Sequence, residues 1–305
     1  MPNSHSPFAI RHLPKPLGPH LAPVYALAEG LTQKQLFTAG GDRIVALWDL
    51  DTADQLPFTV RTDSPVYSLL FYKPSQLLFI GCGNGKLHAV DVKSRQEIHA
   101  WSLDEKGIFD LKMDDSRNRL LVGGGNGVLT VLDLSTSNIM RSIPLSDGKL
   151  RRIALRHEGD LIAVADNSGP VHVLEAESYQ AREMIHSHED GATAVAWHPL
   201  KPVLISGGKD AFIRCHSMND GFKQVLAFAA HLSTIYDILF HKAANCFVSC
   251  SRDKTIKCWE PSTFDPLQRI DFAEGGHKHS VNRLLQMVGN LVSGSDDREV
   301  HFFGA

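Results

Sequence analysis

Long hydrophobic runs are missing from this 305-residue chain: apolar stretches such as LIAVA at 161–165 stop far short of a bilayer-spanning helix. The first sixteen residues, MPNSHSPFAIRHLPKP, lack the cationic start and apolar core of a secretory leader. Asn-x-Ser/Thr acceptors do not occur. Cysteine is scarce and odd in number, with Cys82, Cys215, Cys246, Cys250 and Cys258 forming no Cys-x-x-Cys pair. That excludes a disulfide framework or thiolate zinc site as the expectation and points to small apolar core residues in a reducing cytosol. Neither sign of charge dominates. With 31 Lys and Arg against 34 Asp and Glu, net −3, there is no basic coat for nucleic acid or membrane, only room for a local patch.

Catalytic signatures are absent as well. No nucleophile elbow, H-E-x-x-H, P-loop or EF-hand pattern is present. Apolar residues nowhere recur at helical spacing over a full helix length. Two glycine-rich stretches, GCGNGKLHAVDV at 81–92 and GGGNGVLTVLDL at 123–134, superficially resemble phosphate cradles. A dinucleotide loop needs G-x-G-x-x-G opening a helix, whereas LHAVDV and LTVLDL read as strands. Their Gly and Asn instead suit a tight turn with positive φ.

The two stretches are copies of one unit. Anchored on the turn residue, the chain repeats at Asp42, Asn84, Asn126, Ser168, Asp210, Asp253 and Asp297, at spacings of 42, 42, 42, 42, 43 and 44. Each unit reads as four short strands, as VYALA, QLFTAG, IVALWDL and PFTVRT do in the first. Seven such units predict an all-β chain, a seven-bladed β-propeller of four-stranded antiparallel blades, with residues 1–305 as one domain. The last unit runs out after its third strand. PFAIRHL at 7–13 is expected to supply the fourth and close the ring.

LWDL at 47–50, CWEP at 258–261, GGH at 275–277 and SGSDD at 293–297 resemble the WD-repeat (WD40) propeller family over essentially the full length. The resemblance implies a structural tetrad of His, Ser or Thr, Asp and Trp in each blade. Blade one offers His20, Thr38, Asp42 and Trp48, and blade six His231, Ser249, Asp253 and Trp259. Blade five offers His188, Ser206 and Asp210 with His216 in the Trp place; blade seven offers His277, Ser293 and Asp297 with Phe303 there. In blades two to four the hydroxyl position becomes Ile80, Val122 and Val164, and the His position Thr62, Asp104 and Ser146. The set is kept or lost together, as expected if a buried carboxylate is tolerable only with its donors.

The sixteen histidines, including His186-x-His188 and His277-x-His279, are read as structural or surface groups, and no metal or cofactor is expected. In related propellers, partner contacts come from one position of the first strand and from the residue before the turn anchor. Here these are Tyr25, Tyr67, Phe109, Arg151, Thr193, Tyr236 and Asn282, and Gly41, Gly83, Gly125, Asn167, Lys209, Arg252 and Asp296. The glycines are expected to leave the aromatic rings uncovered, while Lys149, Arg151, Lys209 and Arg252 form a basic half. The reading is a non-catalytic scaffold, monomeric within a larger complex, that binds a protein or peptide on this top face. Two alternatives stand beside it: a nucleic-acid reader using Lys149, Arg151, Arg152, Lys209 and Arg252, and a propeller hydrolase with a channel metal. The latter needs carboxylates or His converging at the channel mouth, where the sequence offers Tyr, Phe and Gly.

Overall fold

Short strands with two apolar faces must be covered on both sides, and a ring of blades packed face to face does this without a separate layer. A computed structural model describes residues 6–14, 17, 20–156 and 158–305. Among them lie seven four-stranded antiparallel sheets. Blade one is Val24–Glu29, Gln35–Gly40, Ile44–Asp49 and Gln55–Arg61, each strand pairing with the next. The other six follow the same meander. The first strands of successive blades contact one another around the channel, and Val24–Glu29 contacts Val281–Met287 to complete the circle. Cores form between blades: Phe37, Leu47 and Phe58 of the first blade pack with Val66, Leu78 and Ile80 of the second. Outer strands such as Gln96–Ser102 are largely exposed.

Closure uses the N-terminal strand, over a shorter span than 7–13. Ala9 pairs with Gly304 and Ile10 with Phe303, extended by the Arg11 amide donating to Phe302 O at 2.8 Å. Phe8 leaves the ladder to bury its ring with blades six and seven, edge-on to His241. The Gln268 side chain holds its backbone at both ends, Phe8 N–H to Oε1 at 3.0 Å and Nε2–H to Phe8 O at 2.9 Å.

The tetrads assemble on the top side, the end of the channel that carries the turn anchors. In blade one, His20 Nδ1 donates to Asp42 (2.8 Å), Thr38 donates to His20 Nε2 (2.7 Å), and Trp48 Nε1–H donates to Thr38 Oγ1 (2.8 Å). The carboxylate fixes the imidazole tautomer, which then orders the hydroxyl. Blade six repeats the chain through Asp253 (3.0 Å), Ser249 (2.8 Å) and Trp259 (2.9 Å), with Thr255 as an additional donor to the carboxylate. In blade five His188 bridges Asp210 and Ser206, and Arg214 donates to the same carboxylate. In blade seven His277 bridges Asp297 and Ser293, with Phe303 buried in the Trp place. Burial pushes the His188, His231 and His277 values down against the pull of their carboxylates. Desolvation likewise opposes ionisation of Asp253 and Asp297, but hydrogen bonds and the paired histidines outweigh it and hold both well below the usual carboxylate range.

Blade four, which has no tetrad, buries a carboxylate at a different position. Its turn anchor is Ser168, yet Asp166, two residues earlier, is buried and accepts from the Ser168 amide and hydroxyl (2.8 Å each) and from His172 (3.2 Å). Desolvation is outweighed by these donors, and the carboxyl sits at about 2. A different set of donors thus satisfies a carboxylate two places before the turn anchor. All five cysteines are buried and free.

Candidate interaction site at the channel mouth

One geometric device recurs seven times. In every first strand the pairing with the second strand slips by one residue, between Val24 and Ala26, Val66 and Ser68, Ile108 and Asp110, Leu150 and Arg152, Ala192 and Ala194, Ile235 and Asp237, and Val281 and Arg283. The skipped residues are Tyr25, Tyr67, Phe109, Arg151, Thr193, Tyr236 and Asn282. A bulge re-aims the side chain of its extra residue. The repeat register therefore has a backbone cause.

Around the mouth these side chains do different things. Tyr25 meets Tyr67 at 5.5 Å with the rings tilted, and Tyr67 stacks on Phe109 at 5.1 Å and 10°. Arg151 and Lys149 lie over the Phe109 ring at 5.0 and 5.2 Å. Such contacts contribute roughly 0.5–2 kcal/mol each, more where water is excluded. Tyr25, Tyr67, Phe109, Lys149, Arg151, Arg152, Tyr236, Asn282 and Asp296 line one cavity of about 310 Å³.

Other members of the set are occupied. Thr193 is buried and donates its hydroxyl to Ile235 O in the next blade. Asn282 donates to Val24 O (3.1 Å) and Asp296 (2.8 Å), tying blade seven to blade one. Lys209 donates to Asn167 O (2.9 Å), and Arg252 is exposed outside the cavity lining.

The glycines do not leave the rings uncovered: Gly41 and Gly83 lie against the tyrosine rings. A Cβ on Gly83 would lie 3.0 Å from Tyr67 Cε2, and one on Gly41 3.6 Å from Tyr25 Cε2; Gly125 instead faces the Lys106 carbonyl. Phe109 is only 8% exposed, so the platform consists of half-buried tyrosines and a cation-capped ring rather than three free aromatics.

One position further along each first strand lies a feature that the sequence reading did not identify. Ala26, Ser68, Asp110, Arg152, Ala194, Asp237 and Arg283 share a register, and the four charged ones meet inside the channel. Arg283 donates to Asp110 at 3.0 Å and Arg152 to Asp237 at 3.0 Å, with the remaining sides of the ring, Arg152 to Asp110 and Arg283 to Asp237, at 3.7 and 3.8 Å. Desolvation works against the Arg152 charge, but Asp237 and Asp110 more than offset it and raise its value. Each acid also accepts a backbone amide of the next blade, Ile153 N–H at 2.8 Å and Leu284 N–H at 3.0 Å. Carboxylates thus do converge within the channel, contrary to the expectation of Tyr, Phe and Gly alone, but guanidinium groups hold them. Among the described residues no group of three His, Cys, Asp or Glu is placed to hold a metal ion. Below this ring the channel opens into a cavity of about 960 Å³. The alternating signs at one repeat position were the available signal.

Comparison with known proteins agrees with this geometry. A family profile described as WD domain, G-beta repeat matches residues 180–217 and 222–260, which contain the third strands and tetrads of blades five and six. Nuclear distribution protein nudF of Aspergillus niger is 31% identical over 132 residues, 40% of this chain and 28% of that protein. Eukaryotic translation initiation factor 3 subunit I of Candida glabrata is 29% identical over 123 residues, 39% of this chain and 35% of its own. WD repeat-containing protein 37 of Mus musculus is 23% identical over 286 residues, 88% of this chain and 54% of its own. In each case the match spans less than two-thirds of the relative's length.

Proposed function

This chain belongs to the WD-repeat β-propellers, and on that premise we propose that it is a non-catalytic scaffold binding a protein or peptide segment across the channel mouth. One observation carries the reading: seven bulges aim a single register at the mouth, and four of those side chains form the continuous stack Tyr25–Tyr67–Phe109–Arg151. Aromatic and Arg anchors supply most of the energy in protein interfaces. A subunit of an initiation factor among the similar proteins supports a role within an assembly. The nucleic-acid reading is weaker, because Arg152 is spent on Asp237 and Lys209 on a backbone carbonyl, which leaves no continuous track of free cations. The hydrolase reading would need Asp110 and Asp237 released from their arginines.

The test pairs Tyr25→Ala with Tyr67→Ala. Proteins that co-purify with the tagged wild-type chain are identified and presented to the purified double variant, with circular dichroism confirming that it is folded. Loss of retention by a folded double variant is expected. Full retention would move the site to the blade sides or the bottom loops.

A further inference from the structure

The mouth is rich in donors and poor in acceptors. Lys149 and Arg151 have no carboxylate partner among the described residues, although Arg117, Arg119, Arg152, Arg156, Arg182, Arg214, Arg269 and Arg283 each do. The hydroxyls of Tyr25, Tyr67 and Tyr236, which line the same cavity, make no hydrogen bond to any described residue, whereas Tyr179 accepts from Arg119 at 3.0 Å. The one acid among the described residues of the lining, Asp296, is engaged by Asn282. Beneath them Asp110 and Asp237 are paired with Arg152 and Arg283, and neither forms an ion pair with Arg151.

A half-buried guanidinium with an aromatic ring on one face but no anionic partner is unfavourable in the free protein. Burial, and then the adjacent Arg152, push the Arg151 value down to about 10. Its planar fork matches a two-oxygen acceptor, and phenol hydroxyls within the same 310 Å³ can complete the shell of an acceptor-only group. We infer that the mouth recognises one anionic side chain of the bound segment, seated between Arg151, Lys149 and the tyrosine hydroxyls. This rests on the mouth being the binding face. The anion is a carboxylate of Asp or Glu, or a phosphorylated Ser or Thr, which shares the same acceptor chemistry.

The test uses displayed random dodecapeptides, followed by synthetic versions of each selected peptide with Glu, Gln or phosphoserine at the fixed position. Selected peptides should carry an acid at one position. Exchanging it for Gln should weaken binding to the wild type about tenfold or more, the scale of a charge-assisted hydrogen bond. On Arg151→Gln the same exchange should change affinity less than about threefold, and Lys149→Gln, an exposed site that does not threaten folding, should also reduce the acid preference. Glu-preferring and phosphoserine-preferring binding then separate the two sources. Peptides that need Tyr25 and Tyr67 but show no acidic position would overturn the inference while leaving the interaction platform standing. So would an acid preference that Arg151→Gln and Lys149→Gln leave intact. Peptides indifferent to both tyrosines would overturn the platform itself. Single-stranded oligonucleotides that outcompete every peptide through Arg151 would assign the mouth to a phosphodiester backbone instead.

Discussion

Blades one, five, six and seven differ from blades two and three in how they hold the same turn. In the tetrad blades the residue after the anchor Asp is not glycine, yet it is left-handed: Arg43 at φ 65°, Ala211 at 67°, Lys254 at 74° and Arg298 at 75°. In blades two and three that residue is Gly85 at 76° and Gly127 at 79°. A left-handed L-residue costs roughly 1–2 kcal/mol. The tetrad over-determines the turn and imposes the conformation; where Asn84 and Asn126 replace the carboxylate, glycine supplies it without strain. The paired motifs GCGNG and GGGNG therefore mark the turns that have no tetrad to hold them. Apolar residues, Ile80 and Val122, are buried at the positions that hydroxyls occupy in the tetrad blades.

Acid should separate the two halves most strongly. His188, His198, His216, His231, His241 and His277 all have values lowered by burial, and all lie in blades five to seven. Burial disfavours the protonated form of each in the folded chain, so protons are taken up on unfolding as pH falls. Stability is then fully present above the unfolded value of about 6.5 and is lost as pH falls through it, at up to about 1.4 kcal/mol per pH unit per group. Asp210, Asp253 and Asp297, whose values are depressed, add a second loss below about 4 as pH falls toward their folded values. Hydrogen exchange at pH 5.5 should show blades five to seven opening before blades two and three. Uniform loss of protection would break the link between these buried histidines and acid sensitivity.

Within single blades, Asp253→Ala should cost about 3 kcal/mol, because His231, Ser249 and Thr255 lose the group that orders them. Asn126→Ala, which removes the acceptor for the Val128 amide, should cost about 1 kcal/mol. Equal melting shifts for the two would contradict the assignment. Gly127→Ala should cost about 2 kcal/mol, since its Cβ would lie 1.9 Å from Ser146 O in addition to the φ penalty. The smallest effect has the opposite sign. Lys254→Gly relieves a left-handed residue whose side chain is exposed and should stabilise by about 0.5 kcal/mol, measured by denaturant midpoint.

Much of this was legible in the chain. The anchors at 42-residue spacing fixed the blades, and the co-occurrence of His, hydroxyl and Asp fixed which of them carry a tetrad. Periodicity also placed Tyr25, Tyr67 and Phe109 at one height, since a bulge repeated in every blade preserves register. Their exposure was not legible, because it depends on Lys149 and Arg151 folding over Phe109 and on rings lying against glycine backbone. Asp166 was missed because its donors follow a spacing of their own. The channel ring was missed for a different reason: Asp110 and Arg283 are 173 residues apart, and equal position in a repeat does not say which side chains meet across an axis.

That ring changes how the molecule should come apart. A linear repeat array frays from its ends, because each unit touches only its neighbours. Here blade three is tethered directly to blade seven, and blade four to blade six, across the axis. Detaching any one of these blades strands a charge in the channel, so the penalty is felt on the opposite side of the circle at once. The propeller should behave less like a stack of independent units than like an arch, in which removing a stone unloads the whole span.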